Sequence, residues 1–435
     1  MSNKDRVRRR QARDAVANSW RLTWRSLHNR NLRVYLAGHM LSRTGGTIQQ
    51  TAELWLLLEL TGSGTAVGFH SVLRFGPLLV FGAYAGVLAD RFQRLRLLLN
   101  TQAILLVSAT VLAVAAWIGE PAVALIYTVA AVQGVVLAID NPLRRSFVRD
   151  LASDDELTNA VSLLSSAGTV ARTAGPAIAG VLIAIVGVAV CFALNAISFA
   201  LYLVGLLRLD RARMRPQVLL GSAPRQLREG LLYAWHHRSI RLTLILCAVV
   251  SIFGWNWDVL IPFLAIVEFD GGAPLYGTLL SVLGVGSMIG TLAVARATRV
   301  RAAMLLVLGA FLAGALMLVA VAPVLLLAGL GLALAGGFGS AFVTAAQARL
   351  QLAVDDHMSG RVLALYSMVF MGTKPIGAML AGFLVEIANA RLGFAVGGVV
   401  IGLTVAAVWW RRLRPMQDDR PRPEARVLGD SSYGT

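Results

Sequence analysis

The sequence predicts an all-α membrane protein of twelve transmembrane helices, arranged as two pseudo-symmetric six-helix bundles. Three observations predict it. The 435 residues are 57% hydrophobic and 14% charged, with a mean hydropathy of +0.68. A soluble domain carries about 25% charged residues, so too few polar groups remain here to cover a globule. Apolar runs of about 20 residues, enough to cross a ~30 Å hydrocarbon core as helix, recur along the whole chain. Basic residues, finally, crowd every second loop.

The runs fall at 34–60, 66–89, 97–118, 121–143, 158–186, 188–208, 241–267, 274–297, 302–322, 324–349, 358–387 and 391–411. Ahead of them, residues 1–33 are basic and polar, with no apolar core before a small-residue cleavage site. They read as a cytoplasmic tail rather than a signal peptide. Arginines fill this tail, the loops after spans two, four, six and eight, and the start of the 412–435 tail. The alternate loops, 59–66, 119–121 and 268–274, are acidic or neutral, and only Arg391 breaks the pattern. By the positive-inside rule both termini are cytoplasmic and the protein is a multi-pass protein of the cell's inner (plasma) membrane. The formal net charge of +17 follows this topology and the anionic lipid heads beside it, not a nucleic-acid partner.

Residues 209–240 interrupt the spans as a polar linker. Its end, Arg225 to Trp235, has the spacing of a helix lying on the cytoplasmic lipid interface. The expected organisation is thus a tail (1–33), a six-helix bundle (34–208), the linker (209–240), a second bundle (241–411) and a tail (412–435). The bundles are related. Asp154-Asp155 precedes span five and Asp355-Asp356 precedes span eleven; Ala179-Gly180-Val-Leu182 and Ala381-Gly382-Phe-Leu384 then recur at matching depth. Such repeats place a substrate near the midplane, between halves that rock around it. Cys191 and Cys247 lie within spans and read as small buried hydrophobes. The six histidines show no ligand spacing, so no metal is expected.

The turn between spans two and three reads Gly86-Val-Leu-Ala-Asp90-Arg91-Phe-Gln-Arg94-Leu-Arg96. It resembles the loop signature of the major facilitator superfamily, G-x-L-x-D-R-x-G-R-R/K, with departures at Gln93 and Leu95. Further along, Trp55, Glu59 to Ser63, Pro142-x-Arg144, Gly175-Pro176, Arg228-Glu229-Gly230, Gly360-Arg361-Val362 and Pro375-x-Gly377 follow in order. Together they resemble the branch containing the enterobactin exporter, the transmembrane secretion effectors. The resemblance implies the major facilitator fold. It also implies secondary export of small organic molecules (siderophores, macrolides or drugs), driven by the proton gradient with no cofactor. The expected partners are a small-molecule substrate and membrane lipid, with the protein acting as a monomer. Motifs for serine hydrolysis, zinc proteolysis or ATP binding are missing, so an enzyme is not expected. Alternatives are an uptake carrier of the same fold, a lysophospholipid flippase or a non-transporting sensor.

Three sets of residues are singled out. Asp90, at the unfavourable negative end of span two, wants a partner. Arg144 is the family-matched one, and the start of span eleven at Gly360 and Arg361 is a second. With Gly86, Arg91 and Arg94 they form a candidate cytoplasmic gate. Within the bilayer, Glu53, Arg74, Arg172, Asp258 and Lys374 all reach roughly 22–28 Å from the cytoplasmic end of their spans, at 1.5 Å per residue. They are read as one charged layer: either ion pairs such as Glu53 with Arg74, or an acid that exchanges protons beside cations that attract substrate. Gln50, Asn256 and Trp257 are candidate cavity residues beside it. In span five, Gly175-Pro176 resembles an antiporter signature and predicts a helix bend.

Overall fold

The computed structural model describes residues 28–215, 232–295, 300–354 and 356–413, and every regular element among them is helical. The first half holds α1 (Arg30–Thr61), α2 (Gly64–Arg91), α3 (Arg94–Ile118) and α4 (Val123–Leu151), then one helical segment, Asp154–Leu207, that reverses at Gly187. Its limbs are α5 (154–186) and α6 (188–207). Gly187 has φ 81°, a left-handed conformation open to glycine at little steric cost. The reversal is visible in its partners. Thr47 Oγ1 donates to the Ala171 carbonyl at 3.0 Å, and Asn195 Nδ2 donates to Gln49 Oε1 at 2.5 Å. One turn of α1 therefore touches residues that an unbroken helix would hold roughly 36 Å apart.

The second half holds α7 (Arg238–Gly254), α8 (Trp257–Phe263), α9 (Ala273–Ala295), α10 (Ala302–Val321), α11 (Leu325–Leu352), α12 (Asp356–Gly372), α13 (Lys374–Ile387) and α14 (Ala390–Leu413). The pair α7–α8 is one expected span, broken at Trp255-Asn256; α12–α13 is another, broken at Thr373. Proline bears on the second break and on the irregular end of α8. Pro262 and Pro375 bring no N–H to the helical ladder, and Pro375 sits in the first turn of α13, where none is needed. A π-helical stretch, Leu264–Glu268, follows α8.

Ten helical runs among the described residues are long and apolar enough to cross a membrane. One of them is the doubled α5–α6 hairpin. Counting that hairpin as two and adding α1, whose hydropathy is lowered by its own charges, the helices among the described residues match the expected two sets of six. In the linker, residues 216–231 lie outside the described residues, so most of the expected interfacial helix does too; 232–236 are helical.

The halves join towards the face that carries the Gly62 and Gly187 turns, hereafter the distal face. Lipid offers no hydrophobic drive for helices to associate, so small residues that let backbones touch do much of the work. A Cβ on Gly64 would stand 2.5 Å from the Gly382 carbonyl, and one on Gly180 would stand 2.0 Å from the Gly277 Cα. Trp55 of α1 stacks on Tyr276 of α9 at 5.4 Å. Glu386 of α13 accepts hydrogen bonds from Ser63 Oγ, Thr65 Oγ1 (2.8 Å) and the Thr65 N–H (3.4 Å), placing a carboxylate at the positive end of α2. Arg391, the exception to the charge pattern, is matched on this same face: its Nε donates to Glu268 at 2.7 Å.

Overpacking a tight contact costs about 1–3 kcal/mol. Gly180→Leu should therefore depopulate the distally closed state by roughly tenfold or more. Cross-linking of cysteines placed across the α5–α9 seam should fall accordingly, with yield in the membrane unchanged.

Candidate functional site

Four of the five intramembrane charges singled out from the sequence, Glu53, Arg74, Asp258 and Lys374, meet in two pairs. Glu53 is fully buried on α1. Its Oε1 accepts from Gln49 Nε2 at 2.7 Å and from Gln133 Nε2 at 3.4 Å. Its Oε2 lies 2.9 Å from His70 Nε2 and 3.3 Å from Arg74 Nη1. Arg74 also donates to Gln133 Oε1. Helical spacing builds this cluster: Gln49 and Glu53 share one face of α1, as His70 and Arg74 share one face of α2. A buried carboxylate needs such company, because an unpaired charge inside protein is prohibitively costly. His70 Nδ1 is buried and makes no hydrogen bond.

The second group belongs to the other half. Lys374 Nζ donates to Asp258 Oδ2 at 2.5 Å. Both residues sit where a helix restarts, Asp258 in the first turn of α8 and Lys374 at the first position of α13. The helix dipole favours the acid there and disfavours the cation, so the pair offsets the mismatch. Lys374 Nζ also lies 4.4 Å above the ring of Phe75, the residue after Arg74. The two groups thus meet across the interface through one aromatic ring. Beside them, Asn256 is buried and donates to the Ile252 carbonyl, while its Oδ1 has no partner. Gln50 is half-buried on α1, one turn from Glu53.

Several expectations need correction. Arg172 does not join this layer. Thr47 bonds to Ala171, so Arg172 lies at the level of Thr47, which is six residues and about 9 Å along α1 from Glu53. Depths counted from span starts ignore where each helix begins and how it leans. Trp257 packs its ring between Trp255 (6.0 Å) and Phe394 (6.4 Å) and is buried, a core role rather than a cavity lining. Gly175-Pro176 lies within α5 with helical φ/ψ, and the one non-helical residue of the segment is Gly187. Gly175 instead lets α5 meet Thr47, which a Cβ would strike.

Arg144 finds its acid on its own helix. Its Nε donates to Asp140 Oδ2 at 2.5 Å, and its other nitrogens reach His39 (2.8 Å), Ser42 (3.3 Å) and Gln102 (3.0 Å). The guanidinium also lies 4.9 Å from the Tyr202 ring centre. Arg94 likewise pairs with Asp150 at 2.6 Å. For the remaining gate residues, Gly86, Asp90, Arg91, Gly360 and Arg361, the side chains lie outside the described residues. His70, Asp140, Gln133 and Asp150 were not singled out from the sequence. The i,i+4 pairs His70/Arg74 and Asp140/Arg144 were the available signal.

Residues 22–430 match the family described as transmembrane secretion effector. The staphyloferrin A transporter of Staphylococcus aureus is 24% identical, over 84% of this chain and 92% of its own length. The multidrug efflux pump Tap of Mycolicibacterium fortuitum is 27% identical, over 88% and 97%. Among solved structures, a bacterial homologue of the human lysosomal transporter Spinster, inward-facing and unoccupied, superposes with a TM-score of 0.66. That match covers 87% of this chain and 95% of the other at 13% identity, a likeness of fold.

Removing one partner of a buried ion pair costs about 3–5 kcal/mol, because the other charge stays behind. Arg144→Ala should lower thermal stability by that order, and Asp140→Asn combined with it should recover part of the loss. Thermal unfolding of the purified single and double variants measures the coupling.

Proposed function

The chain belongs to the transmembrane secretion effector family of the major facilitator superfamily, and we propose that it is a proton-coupled exporter of small organic molecules working by alternating access. It is a multi-pass membrane transporter and not an enzyme. The observation that carries the proposal is the Glu53 cluster, a fully buried carboxylate hydrogen-bonded to a histidine and an arginine beside the interface of the halves.

The geometry supports a simple coupling scheme. With Glu53 ionised, Arg74 is neutralised across 3.3 Å and the α1–α2 pair is held. A proton on Glu53, delivered through His70 Nε2 at 2.9 Å, removes that attraction and leaves the Arg74 charge without a counter-ion. Arg74 then gains from a new partner, and the Asp258–Lys374 pair stands on the far side of Phe75. Protonation in this way biases the fit between the halves, which is the differential interaction that a population shift requires. Release of the proton on the opposite side restores the first arrangement.

The outward direction is supported by the relative whose name is that of an efflux pump. Cytoplasmic termini are supported by the arginine pattern and by Glu268 neutralising Arg391 at the distal face. Labelling of Ser222→Cys and Gly62→Cys in intact cells tests the topology: Gly62→Cys should react with an impermeant maleimide, and Ser222→Cys should not. Glu53→Gln in proteoliposomes should abolish accumulation against a gradient while sparing downhill exchange. Uphill transport equal to the parent's across a range of pH would place coupling elsewhere.

A further inference from the structure

The cations nearer the chain termini have a different balance from the layer above. Arg172 of α5 lies within electrostatic range of both Arg43 of α1 and Arg145 of α4, and the hydrogen bonds Arg43–Asn141 and Thr47–Ala171 hold the three helices together at this level. Arg145 and Arg172 form no ion pair among the described residues, and both side chains are exposed. Arg172 Nη2 donates to the neutral Thr169 Oγ1 at 3.2 Å, on its own helix. Arg43 Nη2 donates to the neutral Asn141 Oδ1 at 2.5 Å. Its nearest acid, Asp140, is 3.9 Å away and is already held by Arg144 at 2.5 Å. Glu53 and Asp258 are committed to their own partners in the layer above. Among the described residues, three guanidinium groups therefore share only the edge of one occupied carboxylate.

Their surroundings leave room for something else. Gly46 of α1 and Gly168 of α5 are one turn from Arg43 and Arg172, and a Cβ on either would meet nothing within 4 Å. Across the gap, Tyr366 of α12 lies within electrostatic range of Arg172, so the cluster faces the other half. An arginine turned to lipid at mid-span costs about 2.5–3.5 kcal/mol, which favours a wet gap between the halves.

We propose that this gap is an oxyanion site, and that the transported compound is an amphipathic organic anion carrying a carboxylate. Guanidinium groups take a carboxylate through two parallel N–H···O bonds, and Arg43, Arg145 and Arg172 converge from three helices to do so. Gln50, seven residues beyond Arg43, and the Tyr366 ring then border the uncharged part of the molecule. A cationic amphiphile would meet three like charges and be rejected. The substrate class rests on the export reading for direction only; binding does not depend on it.

Dansylglycine, its methyl ester and the amine dansylethylenediamine share one fluorophore and differ in charge. Binding to the purified protein in phosphatidylcholine nanodiscs should favour the carboxylate over both others. Arg172→Gln and Arg43→Gln should each weaken it roughly tenfold or more, the loss expected for a charge-assisted hydrogen bond, with Arg172→Lys in between. Equal or tighter binding of the ester or the amine by the parent protein overturns the proposal without any variant. So does unchanged affinity in a folded Arg172→Gln protein. Loss of the probe on changing to phosphatidylglycerol nanodiscs would assign the oxyanion to a lipid headgroup, and its retention to a soluble molecule. In vesicles, outward movement of the amine alone would leave export standing and sink the anion site. Arginine-dependent binding of the carboxylate with no probe transported would sink export and keep the site.

Discussion

In a bilayer the hydrophobic effect does not hold helices to one another, since lipid tails are as apolar as leucine. Everything in this structure depends on what replaces it, and the two halves use different replacements. In the first half the ties are polar. Arg144 gathers Asp140, His39, Ser42 and Gln102; Gln49 links α1 to Asn195 on α6; Glu53 draws in His70, Arg74 and Gln133. In the second half the Lys374–Asp258 and Arg391–Glu268 pairs are joined by a dense set of steric ties. Gly286 meets the Ala333 carbonyl, Gly290 the Gly337 carbonyl, Gly336 the Leu283 carbonyl and Gly397 the Phe253 carbonyl, each closer than a Cβ would allow.

This division suits a machine with one firm wall and one adjustable wall. Hydrogen bonds between buried side chains are directional and are lost abruptly when helices slide. Backbone contacts at glycine tolerate sliding better, because no oriented partner is lost. The second half is also where two spans are interrupted, at Trp255-Asn256 and at Thr373. Interrupted helices free backbone groups and place helix ends, with their partial charges, at the level of the substrate. Asp258 and Lys374 stand at those ends, and the unpartnered Asn256 Oδ1, two residues before Asp258, faces Gly377, three residues after Lys374.

The fold was legible because its cause is additive: apolar length and arginine placement sum over many residues, and no single one decides. The pairing of Glu53 with Arg74 was legible for a similar reason, since equal depth on adjacent helices brings two rare intramembrane charges together. The site was less so. His70 hides among residues that a packed core also uses, and only its i,i+4 relation to Arg74 points to it. Asp140, one turn from Arg144 on the same helix, was passed over as its partner in favour of Asp90 at the end of span two, whose side chain lies outside the described residues. Arg172 was placed too deep because counting residues cannot show how α5 leans on α1. The interruptions of spans seven and eleven were not read from the sequence, because Trp255-Asn256 and Thr373 carry no breaker residue of their own.

Gly187 has a consequence of another kind. At this position two spans are joined by a single left-handed residue, with no loop between them. Such a joint offers nothing polar to rest at the water boundary while the following span is still being synthesised. A joint of this kind favours entry of the limbs 154–186 and 188–207 into the bilayer together, as one hairpin. The order of assembly follows from the partners they carry. Ala171 on one limb and Asn195 on the other both dock on α1, which is made first. The first span thus serves as the template on which that hairpin is received during biogenesis.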